Sequence, residues 1–133
     1  MMKFVAVLML ALLGATGQAM AQSASPIAIT PIVITLADYA FTPGTLDLKA
    51  GGTYQMHFVN NGAKDHNFSA PEFFASAQIA SDDQAKVTKG VVALGSGQSV
   101  DITVTPGQAG NFPVECTHFM HKMMGMHGNI LVQ

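Results

Sequence analysis

The chain has 133 residues, of which 49% are hydrophobic and 11% charged, with a formal net charge of −2. It holds six lysines, eight acids and no arginine, so it lacks the basic patches that nucleic acids and anionic membrane surfaces require. Its one cysteine excludes an internal disulfide.

The first stretch, "MMKFVAVLMLALLGATGQAMAQ", has Lys3 at its start, an apolar run over residues 4–13, and Ala19-Met20-Ala21 at its end. This is the pattern of a secretory signal peptide cleaved before Gln22. The apolar run is about half the roughly twenty residues that a membrane span needs. No Arg-Arg pair precedes it, and no cysteine stands near the cleavage point to take a lipid. The expectation is a leader over residues 1–21 and one exported domain over residues 22–133, periplasmic and with no membrane span after cleavage. Loss of Lys3 leaves five lysines against eight acids, a formal charge of −3. An unpaired thiol in an oxidising compartment is a liability unless something protects it, which points to a task for Cys116.

Beyond the leader the chain reads as strands. "TPIVITL" is β-branched and apolar. "TLDLKA" alternates Leu46 and Leu48 with polar neighbours and meets a turn at Gly51-Gly52. "TYQMHFVN" places Tyr54, Met56 and Phe58 on one face, leaving His57 on the outer one as a surface histidine. "SVDITVTP" aligns Val100, Ile102 and Val104, and "NFPVEC" aligns Phe112, Val114 and Cys116. "NILVQ" is a short closing strand. Alternation of period two, punctuated by Gly, Pro and Asn about every ten residues, predicts an all-β Greek-key sandwich or barrel. The middle, "APEFFASAQIASDDQAKVTKG", has no clean period and is read as a short helix or an irregular loop.

The closing stretch "VECTHFMHKMMGMHGNILVQ" gathers the lone cysteine, three of the five histidines and four of the nine methionines. A core uses one or two such side chains, not eight in a glycine-bearing loop. Thiolate, imidazole and thioether are soft or borderline donors that together suit copper, above all Cu(I). Two His and one Cys in a plane, with a weak axial Met, make a type 1 electron-transfer copper site. Cys116 ends a strand, His121 follows after four intervening residues, and Met126 after four more. Gly125 and Gly128 flank that Met and allow tight turns. Met123 and Met124 are the alternatives for the axial place. His118 lies too close to Cys116 to curl around a shared ion, so His121 is the expected loop ligand. A second His must come from elsewhere, and His66 in "VNNGAKDHNF" follows a turn at the end of a strand.

On these residues the chain resembles the cupredoxins, the small blue-copper proteins that include plastocyanin, pseudoazurin and azurin. "FTPGTLDLKAGGTYQMHFVNNGAKDHNF" is similar to the family's first half, and "FPVECTHFMHKMMGMHGNILV" to its Cys-loop-His-loop-Met ending. The resemblance implies a single copper ion on His66, Cys116, His121 and Met126, with Asn67 bracing the Cys loop by hydrogen bonding. The four-residue gap before His121 is similar to that in azurin-like members and in the type 1 site of multicopper oxidases. In plastocyanin-like members the His stands at the position of Phe119.

Two functions follow. In the first, a monomeric carrier shuttles single electrons between redox partners that dock on an apolar collar of Met120, Met123 and Met124 near His121. In the second, a copper-tolerance protein binds the metal through the same site and its surplus Met and His. An enzyme with Cys116 as nucleophile lacks an orienting acid for its base. A multicopper oxidase needs further His motifs that five histidines cannot supply.

Overall fold

The computed structural model describes Gly14 and residues 17–133. The apolar run expected to form the leader's core lies outside the described residues. The strands run, in chain order, β1 (Ile29–Ala37), β2 (Ala40–Thr42), β3 (Thr45–Leu48), β4 (Thr53–Asn60) and β5 (His66–Ser69). A helix α1 (Pro71–Ser76), strand β6 (Ala77–Ile79) and a 3-10 turn (Ser81–Lys86) follow. Then come β7 (Val91–Leu94), β8 (Ser99–Pro106), β9 (Gly110–Glu115) and β10 (His127–Val132).

Among the described residues these strands form two five-stranded sheets, ordered β2-β1-β4-β8-β6 and β3-β10-β9-β5-β7. The alternation read from sequence sets which face each strand buries. Met56, Phe58, Ile102 and Val104 point inward from the first sheet, and register pairs Met56 with Ile102 and Tyr54 with Val104. Leu46, Leu48, Phe68, Leu94, Val114 and Ile130 meet them from the second. Each such side chain contributes about 1.5–3 kcal/mol of burial. On the outer face, His57 pairs across the strands with Asp101, donating from Nδ1 at 2.6 Å.

The structure adds short strands β2, β5, β6 and β7 to those read from sequence. The middle segment holds the short helix that was one of its two readings, followed by an edge strand. Pro71 starts α1, and Phe73 and Phe74 are buried. Phe112 is only partly buried and packs edge-on against Phe73 with centroids 5.8 Å apart. The closing strand begins at His127 rather than Asn129, because Gly128 and His127 continue the ladder opposite Val114 and Glu115.

Two parallel pairings decide where loops meet. β1 runs parallel to β4, with Leu36 beside Asn60, and β10 runs parallel to β3. The ends of β1 and β4 therefore emerge together at one end of the sandwich.

Candidate metal centre

The turn after β4 is built by its last residue. Asn60 is fully buried, and its amide donates to the carbonyls of Lys64 (2.9 Å) and Leu94 (3.1 Å). Its Oδ1 accepts from the Gly62 N–H at 2.9 Å. An Asn that bonds its own backbone two residues on makes a compact turn, and this one delivers His66 to the first position of β5. At Gly62 an added Cβ would stand 2.9 Å from His66 Nε2 and against the Asp38 carboxylate, so the backbone approaches the imidazole as only glycine permits.

Cys116 follows β9, and the ladder crosses the loop: the Cys116 N–H donates to the Met126 carbonyl at 3.1 Å. Between them the chain winds through local turns. The His121 N–H donates to His118 O at 3.1 Å, and the Met126 N–H to His121 O at 3.0 Å. Gly125 takes a φ of +102°, a conformation that L side chains rarely adopt. From the loop, the exposed Lys122 Nζ reaches back to Glu115 of β9 at 2.6 Å.

These turns bring three donors from distant parts of the sequence into one cluster. Cys116 Sγ lies 3.4 Å from His121 Nδ1 and 3.9 Å from His66 Nδ1, and the two Nδ1 atoms are 3.1 Å apart. They form the one group of three or more His, Cys or acidic residues with metal-holding geometry among the described residues. A trigonal ion with bonds of about 2.0–2.3 Å would separate its donors by roughly 3.5–3.8 Å, so the triangle fits a metal after shifts of a few tenths of an ångström. Its one thiol and two imidazoles suit a soft or borderline ion. Burial, then the neighbouring charges of His66 and His118, hold the His121 imidazole below its ordinary pKa, which favours the neutral ring that a metal requires.

Met126 is fully buried beside this group by its two backbone bonds, whereas Met123 and Met124 are 81% and 54% exposed. His118 is exposed, with its ring 5.5 Å from that of His121, and stands outside the donor cluster, as does His127. Asn67 faces Thr117, the residue after Cys116, and bonds it at both ends of its amide. Phe119 is 90% exposed, and with Met120, Met123 and Met124 it leaves an apolar surface on the loop.

Two neighbours escaped the sequence reading. Asp38 accepts the His66 Nε2–H at 2.5 Å, and the Tyr39 ring stands edge-on to His121 at 5.0 Å and to His66 at 6.2 Å. The His66 hydrogen bond, followed by that of the Ala63 N–H, holds the Asp38 carboxyl below its ordinary pKa. Neither residue carries a motif. The signal that would have found them is the parallel β1–β4 pairing, which puts the turn after β1 beside the turn after β4.

A model of the cupredoxin-like domain matches residues 4–132. A search of curated proteins found no match. Among solved structures, a dithionite-reduced auracyanin from the photosynthetic bacterium Roseiflexus castenholzii is 24% identical, with a TM-score of 0.59 over 78% of this chain and 97% of its own. Auracyanin A, a "blue" copper protein from the green thermophilic photosynthetic bacterium Chloroflexus aurantiacus, is 21% identical, with a TM-score of 0.53 over 77% of this chain and 99% of its own. A multicopper oxidase is 17% identical, with a TM-score of 0.58, and the match covers 79% of this chain but 42% of the oxidase. At these identities the likeness is one of fold.

Proposed function

Because the chain belongs to the cupredoxin-like family and its donor cluster fits one copper ion, we propose that it is a type 1 copper protein that carries single electrons. His66, Cys116 and His121 hold the ion, and Met126 is its weak axial neighbour. The observation that carries this reading is the convergence of Cys116 Sγ and the two histidine Nδ1 atoms within 3.9 Å of one another.

Copper, when bound, supplies a one-electron couple between Cu(I) and Cu(II). The chain's part is to keep the donors still. Asn67 and the Thr117 hydroxyl and N–H tie the Cys side of the site to β5, and the Cys116–Met126 backbone bond closes the loop. A site fixed in advance reorganises little when the charge changes, which suits electron exchange. His121 is partly buried at the edge of the exposed apolar loop, so a redox partner docking on Phe119, Met120, Met123 and Met124 would stand beside a ligand. Apolar surface of this kind is a feature of contact sites.

The same proposal reads residues 1–21 as a cleaved leader and residues 22–133 as a monomeric periplasmic domain that is a carrier rather than an enzyme. The exposed Met123, Met124 and Met120 favour a second reading, in which the protein handles excess Cu(I) as a copper-tolerance factor. Thioethers hold Cu(I) far better than Cu(II).

The test is a titration of the apoprotein with Cu(II), followed in the visible spectrum. One equivalent is expected to give an intense thiolate-to-copper band that bleaches on reduction and returns on oxidation. A pale solution would sink the type 1 reading. A reducing titration that takes a second Cu(I), lost when the three exposed methionines are replaced, would move the assignment to copper tolerance.

A further inference from the structure

His66 is fully buried, and both its ring nitrogens are occupied. Nδ1 faces Cys116 Sγ and His121 Nδ1, and Nε2 meets Asp38. Asp38 lies in the turn between β1 and β2, with its side chain 27% exposed. Its Oδ1 takes the His66 proton at 2.5 Å, and its Oδ2 takes the Ala63 N–H at 3.1 Å. One carboxylate thus grips the imidazole and the loop that delivers it.

An ionised carboxylate accepts and cannot donate. The proton of a neutral His66 must therefore sit on Nε2, which leaves the Nδ1 lone pair aimed at the other donors. His66 and Ala63 face different oxygens of Asp38, so Asn in its place would turn its NH2 group, a donor, towards one of these two donors. A negative charge at this distance from the buried ring also favours the more positive of two metal oxidation states.

We infer that Asp38 is a positioning residue, which fixes the His66 tautomer through Nε2–H and biases bound copper towards Cu(II). This rests on the copper reading for its second half only, since the tautomer belongs to the protein without metal.

The experiment uses the mature chain, its Asp38→Asn and Asp38→Ala variants, and Asp101→Asn as a control that removes a carboxylate from the surface His57 pair. Nitrogen NMR of the apoprotein, followed up in pH until the His66 signals stop changing, reads the tautomer of the neutral ring. Wild type and the control are expected to carry the His66 proton on Nε2, and Asp38→Ala to lose that preference. With copper, the ratio of Cu(II) to Cu(I) affinity is expected to fall at least tenfold in both Asp38 variants, raising the potential by about 59 mV or more. The control should not move. Asp38→Asn supplies the reading if Asp38→Ala fails to fold. A wild-type proton on Nδ1 overturns the inference, as does an unchanged tautomer and affinity ratio in the variants. A wild-type protein that gives no copper band overturns the function proposed above and the bias on copper with it, while the apoprotein spectrum still decides the tautomer.

Discussion

Asn67 and Thr117 stand fifty residues apart and hold each other twice: Asn67 Nδ2 donates to Thr117 Oγ1 at 2.7 Å, and the Thr117 N–H donates to Asn67 Oδ1 at 2.9 Å. This reciprocal pair joins the strand that carries His66 to the residue after Cys116. Asn67→Ala removes both bonds and strands a backbone N–H, so a loss of about 1–3 kcal/mol is expected. Thr117→Ala removes only the hydroxyl and should cost less. Thermal melts of the apoproteins check the order, and faster copper loss from Asn67→Ala than from Thr117→Ala should accompany it.

The loop offers two histidines, and only His121 enters the donor triangle. Cys116→Ser is expected to abolish the thiolate band. His121→Ala should bleach or recolour the site. His118→Ala should leave the band in place, since its ring neighbours His121 without joining the cluster. Visible spectra of the three copper-loaded variants decide the assignment, and a site that survives loss of His121 but not of His118 would reverse it.

Met126→Leu changes shape little in a buried position, and a swap of this kind usually costs less than about 1.5 kcal/mol. Copper is expected to stay bound. With three strong donors already in place Cu(I) gains little from a fourth, whereas Cu(II) gains from a weak axial donor, so loss of the thioether should raise the reduction potential. Voltammetry of both proteins reads the change, and an unchanged potential would pass the axial role to another donor.

Asp83 is a structural acid away from the loop. Lys86 Nζ meets its Oδ1 at 2.6 Å and the Thr103 N–H its Oδ2 at 2.8 Å. The Lys86 bond, then the Thr103 bond, lower its pKa from the ordinary 3.8. A carboxyl whose folded pKa is depressed stabilises above its unfolded pKa and loses that effect as pH falls through the folded value. Asp83→Asn should therefore melt lower than wild type at neutral pH, by about 1 kcal/mol for a partly screened pair. The gap should close in acid below the folded pKa. Melts at several pH values check this, and a gap that persists in acid would place the effect elsewhere.

Much of the candidate site could be read from residue order because its chemistry is compressed. Cys116, His121 and Met126 sit in one loop at even spacing, and strand alternation put Cys116 on the inner face with Val114. His66 was legible because a turn marked by Asn and Gly precedes it. Asp38 and Tyr39 were not, since their place depends on β1 lying parallel to β4, and periodicity carries no strand order. Helix α1 was legible only as one of two readings of the middle segment, because six residues are too few to show a helical period.

The Asp38–His66 bond joins two layers. Asp38 follows a strand of one sheet, whereas His66 and the strands on either side of the Cys loop belong to the other. A slide of one sheet over its partner would strain this bond, and the Tyr39 ring on His121 beside it. The candidate metal centre is thereby tied to the packing between the two sheets. On the copper reading proposed above, compression, or a distant repacking between the layers, would register as a change of colour at the tip.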